Sequence, residues 1–120
     1  MRIIAPTLCV LLLLAASVHA AAPTLAVTIQ VSPATIVLKA PLQWITIHAD
    51  IAYSAVDRST VAINGLDADA VFADNCGGLV AKVAFERIKP LLSTPSAEIV
   101  LTGVTNDGVA FSGCATVPVK

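Results

Sequence analysis

Charge and aromatic rings are both scarce in this chain. Lys, Arg, Asp and Glu make up only 12% of it, and Phe, Trp and Tyr only 4%. The seven basic and eight acidic residues nearly cancel and show no basic cluster, so a nucleic-acid-binding face is excluded. One Trp and one Tyr are too few for the several exposed aromatics that sugar-binding modules usually carry. Reactive groups are thin as well. There is no Gly-x-Ser-x-Gly elbow, no His/Cys or His/Glu set at metal-ligand spacing, and no Cys-x-x-Cys. Repeats, low-complexity tracts and long linkers are absent too, which leaves one domain.

What is abundant is aliphatic residue, 57% hydrophobic overall. Part of the excess lies at the start. Arg2 is followed by an apolar run, densest from Leu8 to Leu14, and Val18-His19-Ala20 closes it. This reads as a secretory signal over 1–20, cleaved before Ala21, with the domain proper at 21–120. The run falls short of the roughly 20 residues that a membrane span requires. Cys9 stands at its beginning rather than its end, which argues against a lipid anchor. The expected destination is therefore secreted, periplasmic or cell-surface, with no membrane span after cleavage. Loss of Arg2 takes the basic count to six against eight acidic residues, a formal −2.

Beyond Ala21, short Val/Ile/Thr-rich runs alternate with turn residues, the mark of strands. The spacing predicts strands over 25–31, 35–38 (an edge piece), 42–51, 59–63, 68–73 and 79–85, then a hairpin of 97–105 and 109–119. One helical turn fits 86–92. Asn64-Gly65 and Asn106-Asp107-Gly108 supply the tight turns. About seven strands at this spacing, in a domain of about 100 residues, predict an all-β antiparallel sandwich of immunoglobulin-like type. Its core would hold Val27, Ile29, Ile45, Ile47, Ile63, Val83, Phe85, Leu101 and Phe111.

Several stretches, in order, carry a family likeness. They are Trp44-Ile45-Thr46-Ile47, Ser59 to Gly65, Asp74-Asn75 through Leu79-Val80-Ala81-Lys82, and Leu101-Thr102-Gly103 with Asp107 to Gly113. From Pro33 to Lys120 the chain resembles an immunoglobulin-like β-sandwich domain common in secreted and surface proteins of bacteria and archaea. The resemblance implies a place in or beside longer extracellular chains and no catalytic residues. It also implies an acidic loop able to hold a cation, here thinned to Asp67, Asp69, Asp74 and Asn75.

Candidate functional positions are few. Cys76 and Cys114 form an even pair in an oxidising compartment, which favours a disulfide. Such a bond would stabilise by about 4 kcal/mol in the chain-entropy model. In an immunoglobulin-like order both would lie near one end and tie the sheets together. Trp44, Thr46, His48 and Asp50 share one face of a strand and form a candidate contact for a ligand or partner. The four residues of the acidic loop are weak Ca²⁺ candidates, and the favoured reading there is a turn whose carboxylates cap backbone amides, so no cofactor is expected. The loops at Asn64-Gly65, Asp74–Gly78 and Asn106–Gly108 would frame a contact surface. The leading expectation is a secreted, non-catalytic binding or structural module whose partner is an extracellular protein or glycan. The rivals are a carbohydrate-binding or calcium-stabilised module, and a small hydrolase built on His48.

Overall fold

A computed structural model describes residues 24–120; the signal reading of 1–20 and the proposed cleavage point lie outside it. Nine strands form: β1 (Leu25–Ala26), β2 (Ile29–Ser32), β3 (Trp44–Ala52), β4 (Val56–Ile63), β5 (Leu66–Asp67), β6 (Ala70–Ala73), β7 (Gly78–Ala84), β8 (Ser96–Thr105) and β9 (Ala110–Pro118). One helical turn, α1 (Phe85–Ile88), follows β7. The described residues are thus mostly strand, as the alternating runs require. The order in sheet A is β1-β9-β8-β4-β5, and in sheet B it is β2-β3-β7-β6. Every pairing is antiparallel except β1 with β9.

The two sheets share one core. Ile45, Ile47 and Val83 from sheet B meet Val61, Ile63, Ile99, Leu101 and Phe111 from sheet A, all fully or almost fully buried. These side chains stand two residues apart along their strands, so one face of each strand is withdrawn from water. Phe85 and Ile88, three apart on α1, close one end of the core. Of the nine expected core residues, eight are buried, and Val27 packs at the margin. No polar or charged side chain is buried among the described residues.

Leu66–Asp67 adds a short strand that the sequence reading lacks, and two further segments differ from it. The run from Leu25 to Val31 is not one strand. It belongs to sheet A as far as Ala26 and to sheet B from Ile29, so Val27 and Thr28 carry the chain from one sheet to the other. The edge piece at 35–38 shrinks to a single parallel bridge, Ile36 to Val119. There the Ile36 amide donates to the Pro118 carbonyl at 2.9 Å, and the Lys120 amide returns to Ile36 at 2.8 Å.

The two turns form as their residues demand. Asn64 and Gly65 hold φ of 50° and 82°, a left-handed pair open to Asn and Gly. Asn64 also does something its dipeptide does not reveal. Its Oδ1 accepts from the Val100 amide at 2.7 Å and its Nδ2 donates to the Glu98 carbonyl at 3.1 Å, fastening the turn to β8.

Candidate functional site

The outer face of sheet B carries the candidate contact residues. Trp44, Thr46, His48 and Asp50 alternate with buried Ile45 and Ile47 along β3, so they point away from the core. Register then adds neighbours from other strands. Thr46 lies beside Lys82, and His48 lies between Gln30 and Val80. Phe72 on β6 sits beside Val80. Trp44 and Phe72 are each 40% exposed, and the Lys82 ammonium stands 5.6 Å from the centre of both rings. Two exposed rings with a cation between them form a platform. Val80, central in this face, is only 1% exposed, so its neighbours shield it.

Sequence reading found Trp44, His48 and Asp50 but missed Phe72 and Lys82. Lys82 stands in the run predicted over 79–85 and Phe72 in the run predicted over 68–73. Nothing local states that β7 runs beside β3 and β6 in the register that brings the three together.

The carboxylates of Asp74 and Asp69 are engaged in holding the chain. Asp74 Oδ1 accepts from the Cys76 and Gly78 amides, both at 2.8 Å, and so closes the β6–β7 turn. Those two amides, Gly78 first, hold its carboxyl below the ordinary aspartate range, and the charge of His48 adds to the effect. Asp69 Oδ2 accepts from the Ala84 amide at 2.7 Å, and its Oδ1 meets Arg87 at 2.9 Å. The Ala84 amide and then Arg87 likewise lower the Asp69 carboxyl. Arg87 also donates to the Asp67 carbonyl at 2.9 Å, while Asn75 lies exposed in the turn. Among the described residues no three His, Cys, Asp or Glu side chains are grouped to hold a metal ion.

These two carboxyls set a pH dependence. Both titrate lower in the folded chain than in the unfolded one, so what they add to stability is complete above about pH 4. It is lost as pH falls through their depressed folded values. Melting temperature is expected to hold level from pH 7 to about pH 5 and to fall below pH 4. Asp74→Asn should flatten part of that fall. A wild-type profile that stays level down to pH 3, or a variant profile as steep as the wild type, would contradict it.

The Cys76–Cys114 bond does not form; both thiols are free. Cys76 lies in the β6–β7 turn of sheet B. Cys114 is not at the start of β9 but four residues into it, opposite Val100 of β8. Its strand neighbours Gly113 and Val117 are buried at the alternate positions, so Cys114 faces outward from sheet A. Cys76 thus sits in a turn of one sheet while Cys114 faces away from the core on the other, and the two thiols do not meet.

Of the three loops, two meet. The Tyr53 amide bonds the Gly77 carbonyl at 2.9 Å, and the Asn106 amide bonds the Ala55 carbonyl at 2.9 Å. The short 3-10 turn Tyr53–Ala55 therefore joins the Asp74–Gly78 turn to the Asn106–Gly108 turn at one end. Asn64-Gly65 lies at the far end of β4. An open concavity between β2 and β9 is lined by Gln30, Ser32, His48, Thr116 and Val117. No family model, curated protein or solved structure matches the chain. No helix among the described residues is long and apolar enough to cross a membrane.

Proposed function

We propose that this chain is a secreted, non-catalytic binding module of immunoglobulin-like type, and that it holds its partner on the outer face of sheet B. The observation that carries this reading is the Trp44–Lys82–Phe72 platform. Exposing two large rings to water is costly, and a folded monomer has no need to place both around one cation on one face. A rigid sheet presents such a surface with little entropy left to lose on binding. The partner is an extracellular protein that offers an apolar face to the rings and an acceptor oxygen to Lys82. His48 and Asp50 continue the same face and would extend the contact. A glycan is the second reading, favoured by the exposure of Trp44, on whose ring a sugar could stack.

Trp44 is the only tryptophan, so fluorescence excited selectively in tryptophan reports on the platform. Titration with candidate glycans and extracellular protein fractions should shift its emission. Trp44→Ala should weaken binding by tenfold or more, as for an interface hot spot worth about 2 kcal/mol. Phe72→Ala should weaken it as well, and both variants should keep the wild-type circular dichroism. Binding left intact by both substitutions would move the contact to another surface.

A further inference from the structure

The free edge of sheet B has a self-complementary form. The Asp74 amide bonds the Gly78 carbonyl, and hydrogen-bonded pairs recur every second residue in an antiparallel ladder. Phe72 therefore turns its backbone groups toward β7, while Val71 and Ala73 turn theirs outward. Neither Val71 nor Ala73 has a backbone partner on that side among the described residues. The edge thus offers two donors and two acceptors, with exposed Phe72 between them on the outer face.

We propose that β6 pairs with β6 of a second copy of this chain, antiparallel and centred on Phe72. Val71 of each copy then bonds Ala73 of the other. Phe72 falls opposite its own counterpart at a non-hydrogen-bonded position, where facing side chains lie closest. The two four-stranded sheets become one continuous sheet. Charge supports the same register. Lys82 is the neighbour of Ala70 across β6–β7, and on the other side of Ala70 this register places Asp74 of the second copy. A lysine side chain can reach over an alanine to meet that carboxylate, and symmetry repeats the pair. Asp69 falls opposite Asn75, so no two carboxylates face each other. A slip that set Asp74 against its own counterpart would bring like charges together and separate the Phe72 rings.

A four-residue edge makes a small interface, so the dimer should be weak, with a dissociation constant of about 10 μM to 1 mM. Sedimentation velocity over that range should show monomer passing to dimer. Ala73→Pro removes an outward amide that β7 does not use, which an edge strand tolerates. This variant should stay monomeric at every concentration. Phe72→Lys should do the same, and it covers the case in which the proline variant misfolds. With Cys9→Ser, Cys76→Ser and Cys114→Ala in place, Phe72→Cys chains should oxidise to a covalent dimer faster than Ala70→Cys chains, because only position 72 meets itself within disulfide reach. A wild-type protein that is monomeric throughout the range would overturn the proposal. So would a dimer that survives both edge substitutions, or equal cross-linking at 70 and 72.

Discussion

Replacing Phe111 by alanine is expected to bring the folded state close to collapse. Phe111 is 1% exposed and lies directly across β8–β9 from Gly103. Its ring lies over that glycine: a Cβ built on Gly103 would come within 2.5 Å of the ring Cζ and 2.8 Å of Cε2. The ring therefore fills the space a side chain at Gly103 would take, as well as its own place in the core. Truncating a buried Phe to Ala typically costs about 3–5 kcal/mol. A domain of this size has only about 5–15 kcal/mol in hand. The urea midpoint of Phe111→Ala should drop accordingly. The same geometry makes a second, sharper statement. Gly103→Ala alone should be strongly destabilising, because the ring cannot move aside in a packed core. In the Phe111→Ala background the obstructing ring is gone, and the added methyl partly fills the cavity. The pair should then be coupled by about 1–3 kcal/mol rather than additive. Additive losses would mean that the ring does not lie over Gly103.

Much of this architecture is readable from period-two patterning, because burial of alternate residues is a local property of a strand. Ile45 and Ile47 alternate with Trp44, Thr46 and His48 in the sequence, and the core takes the isoleucines. Asn64-Gly65 and Asn106-Asp107-Gly108 mark their turns because few residues accept the required backbone angles. What pattern does not encode is which strand lies beside which. Lys82 and Phe72 join the Trp44 platform only through the register of β3, β7 and β6. Cys114 was expected beside Cys76 because strand order alone says nothing about how far along β9 a residue sits or which way it faces. The division of 25–31 between two sheets is hidden for a related reason. Either sheet satisfies the alternation of Leu25, Val27, Ile29 and Val31, and what decides is the space left by a residue more than eighty positions away.

That residue is Gly113. It pairs with Leu101 inside sheet A and lies under the crossing of Val27 and Thr28 from β1 to β2. A Cβ at this position would come within 2.5 Å of the Val27 carbonyl oxygen and 2.9 Å of Ile29 Cγ2. The first obstacle is backbone, so no rotamer change relieves it. Gly→Ala in a permissive strand position should stabilise by about 0.4–1 kcal/mol, because the unfolded chain loses freedom. Here the clash opposes that gain, and overpacking of this kind costs about 1–3 kcal/mol. The sign of the change therefore decides the matter, and Gly113→Ala is expected to destabilise. The loss should also be local. The crossing must lift off β9, so the Val27 amide should lose its 3.0 Å bond to the Ser112 carbonyl and exchange faster with solvent. Amides at the centre of β8 should keep their protection. Because β2 holds Gln30 beside His48 and Ser32 beside Thr46, the disturbance would reach the outer face of sheet B and weaken binding there. Equal or greater stability in Gly113→Ala, with Val27 still protected, would mean that the chain does not cross over this glycine.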